Sequence, residues 1–150
     1  MTGAFGGGEQ GQPPHPDSIA LATLLLAAGA DPNDNQALYN RMFDPCDDHL
    51  ELLLAHGLGT AVDSPWRRAL ADSPAHEFPT PQAMINEQLR WAAGHHQPDR
   101  VRLLLDSGID PDGLGYHPNF GDATAYQLAL AAGDPEITAM LAAAGADTTR

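Results

Sequence analysis

One phrase, a Leu- or Ala-rich apolar run closed by glycine, recurs four times along the chain and constrains its fold more than any other feature. Three of the copies continue from that glycine as Gly-Ala-Asp or Gly-Ile-Asp. The closing residues are Gly29, Gly57, Gly108 and Gly145. Their spacing is irregular but scatters around the roughly 33-residue period of one class of repeat proteins. Such self-similarity predicts stacked units, each of which buries its apolar face only against its neighbours.

The last unit, Gly121 to Asp147, predicts a helix, a tight turn and a second helix. Its two apolar segments are separated by Gly133-Asp134-Pro135. Glycine can adopt the left-handed conformation that ends a helix, Asp134 can accept N–H bonds as an N-cap, and Pro135 suits a first helical turn. The segments that precede the apolar runs also stand at matching offsets from their glycines: Gln36–Met42, Glu87–Ala93 and Thr124–Leu130.

These residues together resemble the ankyrin repeat, whose pattern is T-P-L-H-x-A-A, then G-H-x-E-(V/I)-V, then L-L-L and G-A-D. The last unit matches it at Thr124-Ala125-Tyr126-Gln127-x-Ala129, Gly133-Asp134-x-Glu136-Ile137, Met140-Leu141 and Gly145-Ala146-Asp147. The preceding unit matches at Ala92-Ala93, Asp99, Val101 and Leu103-Leu104-Leu105. The second unit is weaker, because Pro45 replaces a glycine. The resemblance extends from about Asp17 to Asp147.

The resemblance implies an all-α fold, an ankyrin-type helix-turn-helix solenoid with short hairpin fingers and one irregular insertion. Residues 1–16 are rich in Gly and Pro, and we expect a disordered tail there. We expect the repeat domain to occupy residues 17–150, as a half-repeat 17–33, a repeat 34–58, an insertion 59–80, a repeat 81–112 and a repeat 113–150. In the insertion, Trp66–Ala71 could form one or two helical turns, and Trp66 either covers the neighbouring layer, which we favour, or binds a partner.

Local signals give approximate bounds for the other helices. We expect them at Ile19–Ala28, Gln36–Phe43, Pro81–Ala93 and Pro98–Ser107, with an outer helix that has Asp47 and Asp48 in its first turn. We expect four polar side chains of the outer helices to face water: His49, His56, Arg100 and Arg102. An extended finger is expected between Asp110 and Gly121.

The charge balance is strongly acidic, with 7 basic against 20 acidic residues and a formal net charge of −13. Neutralising phosphates needs a basic surface, so nucleic acid is an unsuitable partner. The acidity indicates either a preference for basic partners or, more simply, a means of keeping the protein soluble. A single cysteine, Cys46, cannot form an intramolecular disulfide. With no long apolar run and no leader sequence, we expect a cytoplasmic monomer that does not bind a membrane.

The common signatures of phosphate binding, nucleophilic catalysis and zinc binding do not occur in the sequence. Gly113-x-Gly115 is too short for a dinucleotide loop. Three histidines and one aspartate could be assembled into a metal site on paper: His95, His96, Asp99 and His117. A polar turn between helices explains His95 and His96 more simply. We therefore expect no catalytic residue, no cofactor and no metal.

For ankyrin repeats the binding surface is the concave side, formed by the fingers and the exposed face of the inner helices. Carried over by position, the resemblance implies these candidate partner-binding residues: Asn40, Trp91, His95, His96, Gln97, Tyr116, His117, Phe120, Asp122 and Leu128. Trp91 is the strongest candidate, because buried Trp and Tyr dominate interface energetics. It could equally pack beneath the insertion or Trp66, and the sequence leaves both readings open.

The function indicated is that of a non-catalytic protein–protein interaction module whose partner the sequence does not identify. Two alternatives remain. One is a metal-dependent, hydrolase-like enzyme that uses the insertion and the histidines. The other is a truncated fragment of a longer ankyrin array.

Overall fold

A computed structural model describes residues 1–8, 11–69 and 78–150, apart from the side chain of Trp66. Within those residues the chain is helical and forms no strand, so the predicted all-α class is confirmed. The helices are α1 (Thr2–Phe5), α2 (Ser18–Ala27), α3 (Asn35–Arg41), α4 (Asp48–Ala55), α5 (Pro65–Ala69), α6 (Pro81–Gly94), α7 (Pro98–Asp106), α8 (Ala125–Ala132) and α9 (Pro135–Ala143). None of these helices combines the length and apolarity that crossing a bilayer requires.

The described chain divides into two compact units, Met1–Gln82 and Ala83–Arg150. In the first unit α1 packs against α2 and α3, and α2 packs against α4. In the second unit α9 packs against both α7 and α8. Three of the apolar runs each bury one leucine completely: Leu53, Leu104 and Leu141.

The turn between the last two helices acts as the sequence predicts, and the start of α8 has a capping box that was not predicted. Thr124 and Gln127 form a capping box, in which the Thr124 hydroxyl accepts from Gln127 N (3.3 Å) and the Gln127 amide oxygen accepts from Thr124 N (2.9 Å). Gly133 ends α8 in the left-handed conformation, with φ 71°. Asp134 then caps α9 by accepting a hydrogen bond from Ile137 N at 3.0 Å.

The N-terminal segment differs from the expected disordered tail in the part that the structure describes. Thr2–Phe5 is helical, and Phe5 is only 2% exposed. His15 N donates to Ala4 O at 3.0 Å, and Gly8 N donates to Asn40 O at 2.8 Å, so the segment is bonded to itself and to α3. Phe5 supplies one large apolar anchor, and the glycines that follow it at positive φ let the chain turn back.

Two side chains that were expected to face water are buried. His49 is 0% exposed because Phe5 covers it, with the two ring centroids 5.9 Å apart. Arg100 is 1% exposed and is engaged in an interaction within the fold. Both expectations were wrong, because the pattern around each residue does not reveal which neighbour will cover it. His56 and Arg102 are exposed, as predicted.

The remaining helix bounds agree with the sequence to within about two residues at each end. Helix α6 ends one residue beyond the prediction, at Gly94, and α7 one residue before it, at Asp106. In the insertion, α5 covers Pro65–Ala69. The predicted continuation to Ala71 and the role of the Trp66 side chain lie outside the described residues.

Candidate functional site

The centre of the candidate site is the finger between α7 and α8, which helix α6 holds by side-chain bonds. Asn86 Nδ2 donates to Leu114 O at 3.1 Å. Glu87 Oε2 accepts from the backbone N–H groups of Tyr116 (3.1 Å) and His117 (3.4 Å). Because the Glu87 side chain is 1% exposed, these bonds are shielded from water. The finger is therefore fixed by buried polar contacts rather than by a hairpin.

Close approach explains the two glycines of the finger. A Cβ atom added to Gly113 would overlap the Asn86 amide, and one added to Gly115 would overlap Glu87 Oε2. The Gly-x-Gly pattern thus serves backbone packing on α6.

Arg90 completes this arrangement from one turn further along α6. Its guanidinium is 0% exposed, pairs with Glu87 Oε2 at 3.2 Å and donates to Gly121 O at 2.7 Å. It also lies 5.3 Å from the centroid of the Phe120 ring. Burial lowers the pKa of Arg90, against the opposing effect of the Glu87 and Asp122 carboxylates. An arginine nevertheless stays charged in proteins, so Arg90 is a buried cation beneath the finger.

Four aromatic and imidazole rings meet at the C-terminal end of α6, and we call them the aromatic cluster: Trp91, His95, His117 and Phe120. Trp91 and His95 are stacked, with centroids 3.7 Å apart and an interplanar angle of 9°. Phe120 lies 6.1 Å from Trp91, 6.4 Å from His95 and 6.0 Å from His117. His95 is exposed, and the other three are partly exposed.

Helical spacing and the end of α6 produce the stack. Trp91 and His95 are four residues apart, so they lie one above the other on one helix face.

The next residue, His96, adopts a left-handed conformation with φ 56°, and its Nδ1 lies 2.8 Å from Asp134 Oδ2. The pKa of Asp134 is lowered, first by its bond from Ile137 N and then by His96.

The other candidate residues lie around the aromatic cluster or away from it. Tyr116 is half-buried, and Asp122 is exposed on the finger. Gln97 precedes α7 as its N-cap residue. Leu128 approaches α6, because a Cβ added to Gly94 would lie 3.8 Å from Leu128 Cβ. Asn40 belongs to the first unit, where its carbonyl accepts the bond from Gly8 described above.

The three residues that hold the finger in place were not among the residues predicted from the sequence. Asn86, Glu87 and Arg90 occupy a stretch of α6 that is buried almost without interruption. The available signal was a pair of opposite charges three residues apart in a helix that precedes a Gly-x-Gly loop. That signal is ambiguous, because such a pair usually lies on a solvated helix face.

The geometry within the described residues gives no support for a metal centre. No group of three His, Cys, Asp or Glu side chains there could hold one ion. Of the residues considered for such a site, His95 lies on Trp91 and His96 pairs with Asp134.

Comparison with family models, curated proteins and solved structures gives no match to this chain. The resemblance to ankyrin repeats therefore depends on the quoted residues alone.

Proposed function

We propose that this chain is an ankyrin-type repeat protein that acts as a non-catalytic protein–protein interaction module. In this proposal, the finger and the C-terminal end of α6 bind another protein. The observation that carries the proposal is the aromatic cluster, which is partly open to water. Trp91 and His95 come from the end of α6, and His117 and Phe120 come from the finger that α6 holds through Asn86, Glu87 and Arg90.

The helix contacts within each unit support the ankyrin-type arrangement. Helices that the repeat scheme makes equivalent lie side by side, α2 with α4 in one unit and α7 with α9 in the other. Within the last repeat, α8 packs on α9. Helix α1 contacts both α2 and α3. The first helix of a leading repeat would be expected to make the same two contacts. These contacts support the proposal, because nearest-neighbour packing of repeats would produce them.

A binding role suits the aromatic cluster for energetic reasons. Aromatic side chains provide a large contact area at low entropic cost, and they dominate measured binding hot spots. A surface that is already rigid loses less conformational entropy on binding. The bonds from α6 fix the finger. We therefore expect the rings of the cluster to need little ordering when a partner binds.

Selection from an unbiased peptide-display library tests the proposal. We expect wild-type protein to enrich peptides that Trp91→Ala binds at least tenfold more weakly. The matched control is Leu130→Ala, because Leu130 is an exposed apolar residue of α8, 53% accessible, outside the cluster. The control should retain the same peptides. Circular dichroism should show that all three proteins have the same helix content.

Failure to enrich any peptide whose binding depends on Trp91 would refute the proposal. Because Trp91 is partly buried, a second variant, His95→Ala, separates binding from folding. Because His95 is exposed, we expect its substitution to leave the helix intact. Peptides that bind His95→Ala and Trp91→Ala as tightly as wild type would also count against the proposed surface.

A further inference from the structure

We propose that the aromatic cluster binds an arginine side chain of a basic peptide segment. This inference rests on the proposed function and specifies the chemistry of the partner. Three observations carry it: the commitment of the protein's own cations within the fold, the carboxylates beside the cluster, and the guanidinium that the cluster already holds on its inner side.

Most of the protein's own cations are already paired with carboxylates or buried. The sequence contains seven basic residues, all arginine, against 20 acidic ones. Five of these arginines make ion pairs with carboxylates: Arg41, Arg67, Arg68, Arg90 and Arg102. Arg100 is buried. The acidic surplus therefore remains facing solvent, where it attracts cationic partners and repels anionic ones.

Two carboxylates belong to residues that adjoin the cluster or contact its neighbours. Asp122 is exposed two residues beyond Phe120, and its charge acts on Arg90. Asp134 lies against His96, the residue that follows His95 in the chain. Within residues 83–150 the one arginine on an outer helix that faces water, Arg102, pairs with Asp99 at 2.8 Å and Glu136 at 3.6 Å. An incoming cation thus meets negative charge near the rings.

The inner side of the cluster shows how a guanidinium fits it. Arg90 Cζ lies over the Phe120 ring, 5.3 Å from its centroid, within the range of a cation–π contact. His95 covers one face of Trp91 and is itself exposed to water. A planar guanidinium stacks on aromatic faces and can bond a carboxylate through its edge, whereas an ammonium offers only a point charge. Arginine is therefore favoured over lysine.

A titration with defined probes tests the inference. The probe is a Gly/Ser peptide that carries three arginines, and the matched peptide carries three citrullines, which have nearly the same shape without the charge. Two-dimensional NMR of the labelled full chain follows the Trp91 indole and measures weak affinities. We expect the arginine peptide to bind at least about fivefold more tightly than the citrulline peptide, and Trp91→Ala to weaken it about 3- to 30-fold. Asp122→Asn should weaken it about twofold or more at low salt, and Leu130→Ala should leave it unchanged.

The outcomes separate this inference from the proposed function. Equal binding of the arginine and citrulline peptides, or an equal loss in Leu130→Ala and Trp91→Ala, would overturn the arginine site. So would a display selection whose Trp91-dependent peptides are acidic or apolar, although the interaction function would then stand. The absence of any Trp91-dependent peptide would instead overturn both.

Discussion

At the scale of single residues, the conformation of the finger requires its backbone to pass very close to a buried side chain. Gly115 lies against the Glu87 carboxylate, leaving no room for a Cβ atom. The far end of a side chain usually moves aside at little cost. Glu87 cannot do so freely, because its Oε2 atom holds Arg90 and two backbone N–H groups of the finger. The glycine is required by this contact and not by its own backbone angles.

We predict that Gly115→Ala lowers the free energy of unfolding by about 1–3 kcal/mol, the typical cost of overpacking. Gly94→Ala is the matched control. Its added Cβ would lie no closer than 3.8 Å to Leu128, and alanine is the better helix former, so stability should stay the same or rise by about 0.5 kcal/mol. Urea unfolding followed by circular dichroism measures both. An equal urea midpoint for Gly115→Ala and wild type would contradict this prediction, because it would show that the Glu87 side chain moves aside at little cost.

At the scale of elements, Asp134 links two parts of the second unit. Its Oδ1 accepts from Ile137 N and so begins α9, and its Oδ2 lies 2.8 Å from Nδ1 of His96, beyond the end of α6. Both contacts favour the charged carboxylate, which is why the pKa of Asp134 is lowered from the ordinary value of 3.8. An aspartate whose pKa is lower in the folded than in the unfolded state stabilises the fold at pH values above the unfolded-state pKa. That stability is lost as the pH falls through the folded-state pKa.

We therefore predict that protonation of Asp134 lowers the stability of the fold, and that this loss is confined to low pH. As the pH falls below about 4, the urea midpoint of wild type should decrease more steeply than that of Asp134→Ser. Serine keeps an oxygen that can cap α9 but does not titrate in this range. Above about pH 5 the wild type should be the more stable of the two. Parallel curves for the two proteins from pH 6 to pH 3 would be inconsistent with this role.

At the scale of the whole molecule, the main electrostatic property is an excess of negative charge that the fold does not neutralise. The net charge is −13, while most of the seven arginines are paired or buried. Like charges that remain at the surface repel one another and destabilise the compact state. Screening by salt weakens that repulsion more than it weakens the buried Glu87–Arg90 pair.

We predict that the melting temperature rises by several degrees as sodium chloride is increased from about 20 mM to about 500 mM. Potassium chloride should give the same increase, because screening depends on ionic strength and not on the cation. Thermal unfolding by circular dichroism measures both series. A melting temperature that falls with salt would mean that exposed ion pairs, such as Arg102–Asp99, outweigh the repulsion.

The sequence by itself determined the all-α class, most helix bounds, and the cap and turn roles of Gly133 and Asp134. It could do so because helix starts, stops and periodicity depend on residues within one or two turns of each other. It also selected all four rings of the aromatic cluster, through the positions that the resemblance implies. Only the tertiary structure decided which side chains are covered by residues from distant parts of the chain. Phe5 reaches His49 and Arg90 reaches Gly121 across long stretches of chain, and no local pattern encodes such contacts.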